Sequence, residues 1–306
     1  MLTATPPAVQ MRLVRDDADI ALHVASAEIA QLRRDLAQAR ADAVDLRRRA
    51  VHREDQMARL DGELRLAGRL QRDFLPKRLP EVGPARFAAL FRPAGHVSGD
   101  FYDVVRLDED HVGFYVADAV GHGVPAALLT MFIKHSLATK HIEPGGGYRL
   151  LSPGETLGRL NDTLIERDLS SSMFATAAYG LVNVRTRTVI LARAGHPCPL
   201  VLGTTDGSTR TVECDGGLLG IMPGETFAEA TLTLSPGEQL LLYTDGVEVA
   251  FAAAPADSLD RWRSLLATHG DRPVAELLDG VATALDAFNG DAPPRDDLTL
   301  LALTLD

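Results

Sequence analysis

From Leu22 onward the apolar residues recur at heptad spacing. With Leu22 as position a, the a and d positions run Leu22, Ala25, Ile29, Leu32, Leu36, Ala39, Ala43, Leu46, Ala50, Arg53, Met57, Leu60, Leu64, Ala67, Gln71 and Phe74, and only Arg53 and Gln71 are polar. No glycine or proline interrupts the chain between Pro7 and Gly62, and helix-favouring Ala, Leu, Arg, Gln and Glu dominate, so the pattern predicts one long helix with a coiled-coil seam. A parallel in-register pair brings each g residue near the e residue five places on in the other chain. Those pairs are Glu28 with Arg33, Asp35 with Arg40, Asp42 with Arg47 and Arg49 with Glu54, all of opposite sign. An antiparallel pair sets mostly like charges together, so a parallel homodimer through residues 22–74 is expected.

Gly62 and Gly68 weaken the helical pattern, and LPKRLPEVGP ends it. The resulting division is a flexible N-terminus (1–18), a coiled-coil dimerisation and linker helix (19–75) and a second domain (76–306). In that domain ARFAALFRPA, DFYDVVRL and HVGFYVADAV have the spacing of strands, and GVPAALLTMFIKHSLATKHI predicts a helix over 123–142. A polar, glycine-rich loop and the helix TLGRLNDTLIERD follow. The strands SMFATAAYGLVNV, TVILARAG, CPLVLG, RTVEC, FAEATLTL, EQLLLYTDGV and DLTLLALTLD come next, with the helices DSLDRWRSLLATHG and PVAELLDGVATALDAFN before the last strand. Regular βαβ alternation is missing, which points to an α+β sandwich.

Composition narrows the function. Residues 1–75 hold 13 Arg, no Lys and 12 acidic residues and so sum to +1, which, for a total of −11, leaves −12 in residues 76–306. An acidic domain with 5% aromatic content is a poor nucleic-acid binder. No apolar run is long enough for a membrane span and the first residues lack the pattern of a secretion signal, so a cytoplasmic protein is expected. Cys198 and Cys214 are too few for a disulfide framework or a thiolate metal site.

An excess of acids suits divalent cations. Asp100 in SGDFYD, Asp118 in YVADAVGHG, Asp245 in LLLYTDGV and the pair Asp296 and Asp297 in RDDLTLL each stand at a strand end beside a glycine or another acid. Carboxylates brought together from adjacent strand ends repel one another unless cations neutralise them. Oxygen-only ligands favour Mg²⁺ or Mn²⁺ over zinc. Each acid taken singly is also an ordinary turn or strand-start residue.

Read together, LQRDFLPKRLP, RPAGHVSGDFYD, VADAVGHGVPAALL, MFATAAYGLV, RAGHPCPL, GGLLGI, LLLYTDGV and DDLTLLAL resemble the bacterial SpoIIE/RsbU type of the protein phosphatase 2C (PPM) superfamily, over about residues 64–306. The resemblance implies an αββα sandwich of two antiparallel sheets flanked by helices, and a metal-dependent serine/threonine phosphatase using two Mn²⁺ or Mg²⁺ ions. It implies Asp100, Asp118, Asp245 and Asp296 as carboxylate ligands, with Asp118 bridging, the carbonyl of Ala119 as a further ligand, and Asp103 and Asp297 orienting waters or ligands. It also implies a phosphorylated anti-sigma-factor antagonist as substrate and an upstream activator or sensor protein, with regulation through the coil. His122 does not match the histidine of the eukaryotic DGHGG pattern, and for it and His196 a structural role is expected. Ser98 stands where the family writes the first glycine of GGD. The competing readings are a catalytically silent dimeric scaffold and a hydrolase of another phosphoester, the latter disfavoured for nucleotides by the lack of a GxxxxGK[ST] loop.

Overall fold

The computed structural model describes residues 7–167, 173–203, 208–250, 258–290 and 294–306. Two compact units divide at residue 63/64. The first is helical: α1 (Pro7–Phe74) runs through Gly62 without a break. Along it the heptad leucines stand open to solvent, Leu22 at 69%, Leu32 and Leu46 at 66% and Met57 at 66% exposed. Among the described residues, these seam positions therefore have no cover. No helix among the described residues is long and apolar enough to cross a membrane.

The second unit begins at Leu64, so the last turns of α1, assigned to the coil by their heptad spacing, pack with the sandwich. Its elements are β1 (Ala85–Arg92), β2 (Asp100–Arg106), β3 (His111–Ala119), α2 (Val124–Ser136), β4 (Lys140–Ile142), β5 (Tyr148–Leu150), α3 (Pro153–Glu166), β6 (Ala175–Asn183), β7 (Thr188–Ala194), β8 (Leu200–Leu202), β9 (Thr209–Thr211), β10 (Glu229–Thr233), β11 (Gln239–Tyr243), α4 (Gly246–Ala250), α5 (Ser258–His269), α6 (Val274–Asn289) and β12 (Leu298–Leu305). They form two five-stranded antiparallel sheets, β1-β12-β11-β8-β9 and β10-β7-β6-β3-β2, with a small hairpin β4-β5. Helices α2 and α3 lie against the second sheet, α5 and α6 against the first. This is the αββα order expected from the sequence.

Strand β12 shows why the sandwich is stable. All eight of its residues are buried, and alternation sends them two ways. Leu301, Leu303 and Leu305 enter the core between the sheets, whereas Leu298, Leu300 and Ala302 enter a second core under α5 and α6 with Trp262 and Leu277. Its neighbour β11 divides likewise, with Leu240 and Leu242 inward and Leu241 and Tyr243 outward. A strand covered on both faces reads as an unbroken apolar run. β12 also pairs with β1 from Ala85↔Leu305 to Arg92↔Leu298, joining the first and last strands of the unit.

One element differs from expectation. The helix predicted over 123–142 stops at Ser136; Leu137 is extended, and Lys140–Ile142 pairs with Tyr148–Leu150. Pro144 and three following glycines cannot continue a helix, whereas they make the turn of a hairpin, closed by Glu143 N–H donating to the Gly147 carbonyl at 3.1 Å.

Candidate metal centre

Four strand ends meet at one end of the sandwich. Antiparallel pairing sets the start of β2 beside the end of β3, with Asp100 opposite Asp118, and the end of β11 beside the start of β12, with Tyr243 opposite Leu300. The residues just beyond β11 and just before β12 are Asp245 and the Asp296–Asp297 pair. Asp118, Ala119, Asp245, Asp296 and Asp297 line one cavity of about 910 Å³, with His96, His122, Thr176 and Arg295 on its other walls.

These acids feel one another. Burial, then the charges of Asp245, Asp296 and Asp297, push the Asp118 carboxyl up to about 7. Burial, then Asp245 and Asp297, also raise Asp296, opposed by the Asp297 N–H that donates to its Oδ1 at 2.9 Å. Among the described residues no three His, Cys, Asp or Glu side chains stand close enough to close on a single ion. The donor set fits hard divalent cations in kind, and its mutual repulsion is the kind that a cation relieves.

Asp100 is placed differently from the others. It is 1% exposed and lies outside the cavity wall. Its Oδ2 accepts from the hydroxyls of Thr244 at 2.8 Å and Thr299 at 2.7 Å, so this one oxygen ties the second sheet to the first. Burial, then Asp118, hold its carboxyl well above the usual range against the pull of those hydroxyls. Asp103 is also outside the wall, ion-paired with Lys134 of α2. Asp297 fastens the loop ahead of β2: one carboxylate oxygen accepts from Ala94 N–H and the other from Gly99 N–H, each at 2.7 Å. A Cβ on Gly99 would stand 3.0 Å from the Ala119 carbonyl oxygen, so glycine there leaves that oxygen its space.

The same loop is gripped by the end of α1. Gln71 Oε1 accepts from Ser98 N–H at 2.9 Å and Gln71 Nε2 donates to the Ser98 carbonyl at 2.7 Å. One turn earlier, the backbone of His96 crosses so close to Gly68 that a Cβ would stand 1.8 Å from its carbonyl oxygen. The Ser98 hydroxyl accepts from Asp100 N–H at 3.0 Å, so the serine of this motif braces the turn into β2. His196 is 1% exposed, with Nδ1 2.8 Å from the Thr176 hydroxyl. Burial and the Arg193 guanidinium push it down to about 3, with the Tyr243 backbone acting the other way. Thr244, Thr299 and Gln71 escaped the sequence reading, although both threonines adjoin its motifs, in YTDG and DDLT.

Comparison with known proteins agrees with this geometry. The family model of stage II sporulation protein E (SpoIIE) matches residues 108–306. Protein IcfG of Synechocystis is 28% identical over 263 residues, covering 79% of this chain and 41% of its own. Phosphoserine phosphatase RsbU of Bacillus subtilis is 26% identical over 249 residues, covering 80% and 70%. The SiaA-PP2C domain of Pseudomonas aeruginosa superposes with a TM-score of 0.69 at 25% identity, over 82% of this chain and 99% of that one. This chain thus spans less than half the length of IcfG. Two antiparallel sheets within flanking helices, strand ends rich in carboxylates and the family match lead to one conclusion: the chain belongs to the SpoIIE family, and its sandwich is a PP2C-type phosphatase domain.

Proposed function

We propose that the protein is a metal-dependent serine/threonine protein phosphatase in which Asp118, Asp245 and Asp296, with the Ala119 carbonyl, hold two Mn²⁺ or Mg²⁺ ions, and Asp100 supports them from beneath. The observation that carries this is the shared cavity in which Asp245, Asp296 and Asp297 help lift Asp118 to about 7. Bound divalent ions supply charge neutralisation for a phosphoester dianion and an acidified water. The chain's own groups do the rest. Asp118, which lies in the cavity with Asp245 and Asp296 and feels their charge, would be the carboxylate the ions relieve most. Thr244 and Thr299 hold Asp100 in place, and Asp297 fixes the 94–99 loop through two N–H groups. Asp103, ion-paired with Lys134, steadies β2 rather than reaching the cavity.

Within this reading the substrate is a phosphorylated anti-sigma-factor antagonist, as the likeness to RsbU suggests, and the coil expected over residues 22–74, whose last turns from Leu64 are taken up by the sandwich, forms a parallel homodimer through its earlier heptads and answers an upstream activator. The exposed heptad leucines and the four complementary g–e pairs support the dimer. Because Leu64–Phe74 belongs to the compact unit, the telling comparison in sedimentation is the full chain against residues 64–306. The activity test is phosphate release from a phosphoserine protein with Mn²⁺. Wild type is expected to be active and Asp118→Asn to lose at least about 100-fold, since Asp118 would be one of the carboxylates that hold the ions. Equal rates for the two would overturn the assignment.

A further inference from the structure

A second cavity, of about 500 Å³, adjoins the acidic one and shares Asp118, Thr176 and Asp245 with it. Its remaining wall is different in character, because it carries two arginines, Arg193 of β7 and Arg263 of α5. Arg193 is half-buried and fixed by backbone: its Nε donates to the Cys214 carbonyl at 3.0 Å and a terminal nitrogen donates to the His196 carbonyl at 2.6 Å. Arg263 is exposed, its guanidinium 3.4 Å from the Thr211 hydroxyl. Neither guanidinium pairs with a carboxylate among the described residues. Glu248 also lines the wall, but among the described residues no ion pair joins it to either arginine.

A half-buried guanidinium bound only to carbonyls keeps its full charge and spare N–H donors, an arrangement that is stabilised by an incoming anion. In a chain of net charge −11 such a wall is a local exception. The two cavities meet at Asp118 and Asp245, so a group seated over the carboxylates has its neighbours along the arginines.

We infer that the second cavity is an anion subsite, in which Arg193 and Arg263 receive an acidic side chain of the substrate protein next to the phosphorylated residue. This rests on the phosphatase reading above. It makes the enzyme select phosphosites with an Asp or Glu in the flanking sequence.

The test uses the full-length protein with Mn²⁺ and paired phosphoserine peptides that carry Glu or Gln at each flanking position in turn. In wild type one position is expected to favour Glu over Gln by about fivefold in kcat/KM, through KM, the worth of one partly screened ion pair. In Arg263→Ala that ratio falls to about one, and in Arg263→Glu a Lys peptide becomes the preferred partner. Calorimetric binding of the same peptides gives the ratio without turnover. If a small chromogenic phosphate ester is not hydrolysed, the phosphatase reading fails while the Glu-to-Gln binding ratio still decides the subsite. No Glu preference at any position, or a preference unchanged in Arg263→Ala, would overturn the inference. So would an effect of Arg263→Ala on inhibition by inorganic phosphate alone, since the arginines then serve the released phosphate.

Discussion

Replacing Gln71 by alanine probes how the end of α1 supports the metal centre. The side chain is 5% exposed and makes two short hydrogen bonds to one residue, Ser98, with a third contact from Nε2 to the Thr130 hydroxyl at 3.3 Å. Truncation leaves a buried N–H and a buried carbonyl without partners, each costing about 1–3 kcal/mol. Recovered side-chain entropy offsets up to about 2 kcal/mol of this. The expected loss is about 2–4 kcal/mol, which for a domain of this size lowers Tm by roughly 5–12 °C. Urea unfolding followed through the core Trp262 measures it, with an unchanged m-value showing that the unfolding reaction itself is the same. Gln71→Glu sharpens the test. It keeps the acceptor for Ser98 N–H but sets a carboxylate against the Ser98 carbonyl, so its ionised form is disfavoured in the fold. Its defect is therefore small below about pH 4, where the acid is protonated in both states, and grows as pH rises. A Gln71→Ala loss under about 0.5 kcal/mol, or a Gln71→Glu defect independent of pH, would refute the reasoning.

Gly68→Ala must push the His96 backbone away from a position 1.8 Å from the new Cβ, and is expected to lower Tm despite a gain in helix propensity of about 1 kcal/mol; differential scanning calorimetry reads the sign directly. Asp118 has its folded pKa raised to about 7 from 3.8, so the native state binds more protons than the unfolded chain between these values, and this group makes metal-free stability fall as pH rises through that window. Asp118→Asn removes the penalty and is expected to stabilise the metal-free protein at pH 8 by about 2 kcal/mol, discounted for solvent, with little effect at pH 4. Denaturation at the two pH values in EDTA measures this.

The sandwich was legible in the sequence because its strands bury both faces or alternate cleanly. DLTLLALTLD reads as a strand since β12 feeds two cores, and Asp118, Asp245 and Asp296 mark strand ends because a carboxylate there faces the cavity rather than the core. Gln71 and Gly68 were legible only as faults in a heptad. Their partner is the 94–99 loop, and a coiled-coil pattern carries no information about a contact with a different kind of surface. The acids of SGDFYD take their partners from far along the chain: Lys134 for Asp103, Thr244 and Thr299 for Asp100. No local spacing announces such pairings. The helical pattern over 123–142 carries no sign of the break at Leu137, whereas the turn behind Lys140–Ile142 dictates a hairpin.

The pairing of β1 with β12 also bears on how the domain is made. β12 lies inside its sheet, between β1 and β11, yet follows every other strand of the unit in the chain, so the sheet cannot close until residues up to Leu305 have emerged, and Asp296 and Asp297, which complete the acidic cavity, emerge just ahead of that strand. Nascent chains therefore lack a finished centre until β12 inserts, and a ribosome stalled before Leu298 would display two open sheet edges in need of a chaperone.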